Sequence, residues 1–180
     1  MPNPFDEHVL DRSRAAALGA ELVRIHDELR AQLRQVQDAA ASGAAPDAQR
    51  PLPVHCLAFC AALTRHHTGE DAGGFPALAA AFPELRPVLE KMAEDHRWIS
   101  GILARVEELA RELAASGSSP RLAGELAGLA AIAESHFSFE ERRIAAALDR
   151  LPGTPAGVLG SPVRLSRARG EPEPQEKSAL

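Results

Sequence analysis

The sequence contains no tyrosine, one tryptophan and two cysteines among its 180 residues. Alanine and leucine are abundant and β-branched residues are few, so the composition favours helices and disfavours sheet. We therefore expect an all-α fold. At this length the chain can form one domain with a sizeable core.

The shortage of cysteine also limits the kinds of site that the chain can build. Cys56 and Cys60 lie four residues apart on one predicted helix. Such a pair more often consists of small core residues than of a disulfide. Because the chain has no further cysteine, a thiolate cluster or a zinc knuckle is excluded.

The chain has no excess of basic residues, since its formal net charge is −5 and its lysines and arginines are scattered. This pattern argues against nucleic acid or an anionic membrane as the main partner. No run of about 18 apolar residues occurs, and the acidic N-terminus has no apolar signal region. We expect a soluble, cytoplasmic protein.

The apolar periodicity and the helix-ending residues predict four long helices. The first carries apolar residues at intervals of three and four and ends near Gly43. The second runs from about Val54 to the pair Gly73 and Gly74, after which "FPALAAAF" is expected to form a short turn or helical stub.

The third helix is predicted to begin between Pro83 and Pro87 and to end at Gly117. Ser119 is expected to be the N-cap of the fourth helix, with Pro120 as its first residue. Four such helices predict an antiparallel up-down four-helix bundle.

The chain changes character at Pro152, where it becomes rich in proline and glycine and loses its aromatic residues. A segment of this composition cannot bury enough apolar surface to offset the entropy of ordering it. We therefore predict one domain over residues 1–151 and a disordered tail over residues 152–180.

Two histidine–glutamate pairs with a spacing of four occur on different predicted helices, namely His66 with Glu70 and His136 with Glu140. Residues with this spacing lie about 5–6 Å apart on one helix face, a separation that two ligands of one metal centre can use. A single pair of this kind is more often solvated. Two pairs together favour the metal interpretation.

Each of the other two long helices places one histidine in its apolar stripe, His26 in "RIHDELR" and His96 in "AEDHRWI". A lone histidine on an apolar face is more often a hydrogen-bonded core residue than a ligand. Here all four helices carry one. Imidazole and carboxylate without thiolate suit iron or manganese, with zinc as a common contaminant.

These motifs together resemble the hemerythrin-like, or HHE cation-binding, domain over about residues 15 to 150. The matching elements are "HDELR", "HHTGED" with "FPAL", "DH" at Asp95-His96, and "HFSFEE". The resemblance implies a non-haem centre of two iron ions whose ligands are His26, His66, Glu70, His96, His136 and Glu140. Glu70 and Glu140 are then candidates to bridge the ions, and the glycines and proline are expected to end the second helix just beyond the centre.

Two ligand assignments stay open at this point. His67 turns about 100° from His66 and is expected at the surface or behind the ligands, although it could replace His66 if the helix is rotated. Glu141 is an alternative to Glu140, because oxygen-carrying hemerythrins place this acid five residues after the histidine.

The resemblance leaves several functions open. Oxygen carriers of this family have two histidines four apart in the third helix, whereas Met92 and Ser100 hold those positions beside His96. With six protein ligands, the case for reversible oxygen carriage is weaker. The leading hypothesis is a di-iron protein that binds or senses a small ligand such as dioxygen or nitric oxide. The alternatives are a di-iron enzyme acting on nitric oxide or peroxide, and a metal-free helical interaction protein.

Overall fold

The four predicted long helices are present and pack antiparallel in a computed structural model, which describes residues 18–43, 50–152 and 159–160. Helix α1 spans Leu18–Ser42 and helix α2 spans Leu52–Gly69. The all-α class and the bundle architecture are therefore confirmed.

A short helical connection leads to the second half of the bundle. A π-helical turn, Glu70–Gly74, joins α2 to a two-turn helix α3, Phe75–Ala81. A 3-10 turn at Pro83–Leu85 leads into helix α4, Arg86–Ser116, and helix α5 covers Leu122–Leu148. Around the bundle, α1 contacts α2 and α5, and α4 contacts the same two helices.

The apolar stripes of the long helices form the core. In α1 the residues at intervals of three and four, such as Leu22, Ile25 and Leu29, are all buried as the periodicity predicts. Burial of each large apolar side chain stabilises the fold by roughly 2 kcal/mol, so the stripes hold the bundle together. Among the described residues, no helix is long and apolar enough to cross a membrane.

The second helix does not end at the glycines and the proline, so that prediction is wrong. Gly74 has φ −61° and ψ −53°, and the helix continues through the π turn into α3. Phe75 donates its N–H to the carbonyl of Glu70. Pro76 has no N–H, and its ring needs room beside the carbonyl four residues earlier. The wider π turn provides that room without breaking the helix.

The end of α4 agrees with the prediction, and the start of α5 does not. Gly117 adopts φ +74° and donates its N–H to the Leu113 carbonyl at 2.9 Å. Helix α5 begins at Leu122 rather than Pro120, and its N-terminus has no side-chain cap. The Ser119 carbonyl accepts the N–H of Leu122 at 3.1 Å. Proline suits the second position of such a turn as well as the first position of a helix.

Most of the predicted disordered tail, residues 152–180, lies outside the described residues, as do the first 17 residues of the predicted domain of residues 1–151. The part of the chain that is not described includes residues 1–17, 153–158 and 161–180. Leu159 and Gly160 are described, and Leu159 is 3% exposed and packs with the apolar core. Packing onto the bundle therefore continues beyond residue 151.

Candidate metal centre

Seven polar side chains are buried in the middle of the bundle among the described residues, and all are histidine or glutamate. Each is at most 4% exposed. Every long helix contributes: His26 from α1, His66 and His67 from α2, Glu70 from the π turn that follows, His96 from α4, and His136 and Glu140 from α5. All six side chains that the sequence predicts as ligands thus lie together, and His67 joins them.

Four of these side chains form a mixed group, defined as His26, His66, Glu70 and Glu140. One potential ligand atom from each lies within 4.8 Å of the others. The two Nε2 atoms of His26 and His66 are 2.9 Å apart. Glu140 Oε2 lies 3.3 Å from His26 Nε2, and Glu70 Oε1 lies 3.4 Å from His66 Nε2. Two imidazole nitrogens and two carboxyl groups therefore converge on one point.

The remaining three side chains form a histidine group, defined as His67, His96 and His136. Their ring nitrogens satisfy the same 4.8 Å limit. The Nε2 atoms of His96 and His136 are 3.1 Å apart. The rings of His67 and His96 stack in parallel, with 3.9 Å between centroids. This is a second place where nitrogen lone pairs can meet one ion.

The two carboxyl groups of the mixed group also face the histidine group. Glu70 directs Oε1 to His66 and Oε2 to His96, whose Nε2 is 3.7 Å away. Glu140 Oε2 lies 3.3 Å from His26 Nε2 and 3.6 Å from His136 Nε2. Each carboxyl group therefore reaches both clusters of imidazoles, as a bridging ligand must.

Three of the imidazoles form a hydrogen bond through Nδ1, on the side of the ring that faces away from the clustered Nε2 atoms. His26 Nδ1 is 2.9 Å from Glu141 Oε1, and His96 Nδ1 is 2.8 Å from Asp71 Oδ1. His66 Nδ1 is 3.0 Å from the carbonyl oxygen of Leu159. Such outer hydrogen bonds fix the tautomer and the ring orientation of histidine ligands.

The outer partner of His26 is itself held in place. Arg30 donates from Nη1 to Glu141 Oε1 at 2.8 Å and from Nε to Glu134 Oε2 at 2.7 Å. These hydrogen bonds raise the pKa of Arg30 against the opposing effect of its partial burial. Glu141 thus contacts the outer nitrogen of His26, while Glu140 points into the mixed group.

The bonds at Nδ1 determine which ring nitrogens carry a lone pair. A carbonyl oxygen can only accept, so His66 donates from Nδ1 to Leu159 and leaves Nε2 without hydrogen. His26 donates to the Glu141 carboxylate in the same way. Two lone pairs then face each other across 2.9 Å. A cation held by both nitrogens would replace this repulsion by attraction.

Protonation of an imidazole does not resolve that contact near neutral pH. Burial lowers the pKa of His66 to about 4 and lowers that of His26 still further. In the histidine group, burial lowers the pKa of His96 and of His136 to about 4. These rings are neutral at pH 7, which is the protonation state that binds a metal ion.

Among the described residues, the two buried carboxyl groups also lack a hydrogen-bond donor or a positive charge beside them. Burial raises the pKa of Glu140 to about 8 and that of Glu70 well above its usual range. None of their four oxygen atoms has a hydrogen-bond partner. Buried acceptors without donors destabilise a fold by roughly 1–3 kcal/mol each. The residues therefore fit a pair of cations in two ways: their nitrogen and oxygen atoms are suitable ligands, and the carboxyl oxygens have no hydrogen-bond donor.

The family comparison can now be set beside this geometry. The family model of the hemerythrin HHE cation binding domain matches residues 17–148. The chain belongs to the hemerythrin HHE family. Searches of curated proteins and of solved structures gave no match. The buried histidine and glutamate clusters of this HHE domain are consistent with the binding of metal ions.

His67 is the side chain that sequence reasoning placed poorly. It is 3% exposed and stacks on His96, so the expectation of a surface position is wrong. The 100° turn from His66 leaves the His67 side chain inside the bundle, because this layer of the core is wide enough for both rings. One signal was available: Met92 and Ser100 leave one histidine in the third long helix, α4, where oxygen carriers of the family have two, and α2 offers two adjacent histidines.

Proposed function

We propose that this HHE domain holds two iron ions and binds or senses a small ligand such as dioxygen or nitric oxide. The mixed group would hold one ion, and the histidine group the other, with both carboxylates shared. The position of Glu70 carries this proposal, because its two oxygens face His66 at 3.4 Å and His96 at 3.7 Å. Neither oxygen of this buried carboxyl group has a hydrogen-bond partner, which supports a bound cation over a metal-free role.

The donor types favour iron over softer metals. Imidazole and carboxylate suit iron and manganese, whereas thiolate would favour zinc or copper. Cys56 and Cys60 are also buried, and burial raises the pKa of these thiols to about 11 and about 12. Neither thiol belongs to the mixed group or to the histidine group, so nitrogen and oxygen donors make up the proposed site.

The number of donors leaves room for a small ligand. Two imidazoles and two carboxylates would provide four donors in one group, and three imidazoles with the same shared carboxylates would provide five in the other. Iron commonly takes about six ligands, and when bound it supplies the position at which dioxygen or nitric oxide can bind. An incomplete donor set supports ligand binding rather than a purely structural role.

Aromatic rings pack against the imidazoles of this buried layer. Phe137 stacks on His26 with 4.2 Å between centroids, and Phe75 stacks on His96 at 5.3 Å. Between α4 and α5, a surface cavity of about 530 Å³ has His136 and Trp98 in its wall. His136 would offer a small molecule in this cavity an approach to the histidine group.

Elemental analysis of protein purified without chelator tests the proposal. We expect about two iron ions per chain, together with an ultraviolet–visible spectrum that shifts on addition of dioxygen or nitric oxide to the reduced protein. Protein that contains no iron and takes up none when supplied with ferrous ion would contradict it. Consumption of many equivalents of nitric oxide or peroxide per chain would instead identify the di-iron enzyme.

A further inference from the structure

The imidazole of His66 is held by a segment that lies outside the four long helices. Leu159 comes eight residues after the predicted domain boundary, and its carbonyl accepts the Nδ1–H of His66 at 3.0 Å. The side chain of Leu159 is 3% exposed and packs with the bundle core. In contrast, the outer partners of His26 and His96 are side chains of α5 and of the π turn.

Two glycines allow this segment to approach α2 so closely. A Cβ atom on Gly69 would lie 2.3 Å from the backbone nitrogen of Gly160. Gly160 has φ +73°, and a Cβ atom there would lie 2.7 Å from the carbonyl oxygen of Arg65. Side chains are therefore excluded on both sides of the contact. Backbone lies directly on backbone one turn from the metal ligands.

We propose that Leu159 and Gly160 form a strap that positions His66 and so controls how firmly the mixed group retains its ion. This inference rests on the proposed function. Leu159 acts through His66, so it is a positioning residue and not a ligand. The three parts of the contact are the buried leucine, which anchors the segment, the carbonyl, which accepts the hydrogen bond, and the glycine pair, which permits the approach.

The strap acts on the tautomer of the imidazole. With the carbonyl in place, the hydrogen of His66 stays on Nδ1 and Nε2 keeps the lone pair that a metal requires. Without it, Nδ1 loses its acceptor and the hydrogen can move to Nε2, where it blocks coordination. Removal of outer partners of this kind lowers metal affinity by roughly 10–100-fold.

The test uses the full chain with the substitution Gly69→Ala and the matched control Gly101→Ala. Alanine is the better helix former at both positions, but a Cβ atom on Gly101 meets nothing within 4 Å. A second variant, Leu159→Ala, weakens the strap from the other side without touching the helix. Circular dichroism shows whether each variant folds, and Leu159→Ala decides if Gly69→Ala does not.

Two measurements are made on each variant. The first is the rate at which iron leaves the loaded protein in the presence of a chelator. The second is the Nδ1–H signal of the His66 ring in metal-free protein, observed by nitrogen-15 NMR. We expect Gly69→Ala and Leu159→Ala to lose that signal and to release one of two ions about 10–100-fold faster, with Gly101→Ala unchanged.

The outcomes separate this inference from the proposed function. Wild-type retention rates in Gly69→Ala and Leu159→Ala, together with a persistent ring signal, overturn the strap and leave the metal centre intact. If the wild-type protein binds no iron, the proposed function fails, and the NMR measurement alone decides whether the strap holds His66. Loss of the signal in both variants then supports it, and its persistence overturns it.

Discussion

Replacement of Glu140 by glutamine should stabilise the metal-free protein and destabilise the metal-loaded one. Glu140 is 0% exposed, and burial raises its pKa from 4.5 to about 8. Because the folded-state pKa lies above the unfolded value, folded protein keeps a proton that unfolded protein loses above pH 4.5. The free energy of unfolding therefore falls as the pH rises from 4.5 to 8.

The size of this effect follows from the pKa shift. At pH 7 the folded carboxyl group is still largely protonated, so the relevant interval is from the unfolded pKa of 4.5 to pH 7. One pH unit corresponds to about 1.4 kcal/mol, which gives roughly 3 kcal/mol over this interval. Glutamine is isosteric and does not ionise, so Glu140→Gln should recover about this amount at pH 7 and almost nothing near pH 4.5.

Bound iron should reverse the sign of this stability difference, so that Glu140→Gln becomes less stable than the wild-type protein. Free iron at about 1,000 times its dissociation constant stabilises the folded protein by roughly 4 kcal/mol per ion. Glu140→Gln removes a carboxylate that faces both groups, so we expect iron content to fall to one ion or none. Urea unfolding at pH 7, with and without ferrous ion, together with elemental analysis, measures both effects.

Glu141→Gln is the matched control on the next residue. Its amide oxygen can still accept from His26, while its ion pair with Arg30 is lost. We expect it to retain iron and to lower the stability of the metal-free protein by up to about 1 kcal/mol. If Glu140→Gln keeps two ions, or destabilises the chelated protein at pH 7, the reasoning is refuted. Loss of iron in the control alone would mean that Glu141 is the ligand.

Three further predictions follow from the same structure. His67→Ala should remove one ion of two, because it takes a donor from the histidine group, whereas the exposed neighbour Thr68→Ala should keep both; elemental analysis distinguishes them. Binding of iron at pH 6 should release protons, because the Glu140 carboxyl group is protonated there and the imidazoles are neutral, and the release should fall as the pH passes the pKa of Glu140 near 8. Calorimetry in buffers of different ionisation enthalpy measures it, and the absence of proton release would contradict the assigned pKa shifts. Gly117→Ala should destabilise the fold by about 1 kcal/mol because its φ is +74°, whereas Gly128→Ala in open space on α5 should stabilise it slightly; thermal unfolding of the two compares them.

The HHE domain shows clearly which features local sequence pattern can predict. The apolar stripe of α1 placed His26 on the buried face, because a helix repeats every 3.6 residues wherever it packs. The same periodicity placed His96 inside α4, and the spacing of four brought Glu140 beside His136. Each of these positions depends on the geometry of one helix, so the sequence alone determined them.

Other features depended on contacts between distant segments. The inward position of His67 depends on the width of the layer that all four helices share, which no single helix specifies. The π turn at Glu70 arises because the helix continues to pack on α4 beyond its proline, whereas local propensity predicts an end there. The bond from His66 to Leu159 joins residues 93 apart in sequence, and the glycines that permit it are only recognisable once the two backbones are in contact. Helical periodicity thus determined which residues face inward, and tertiary packing decided how many of them meet and what holds each one.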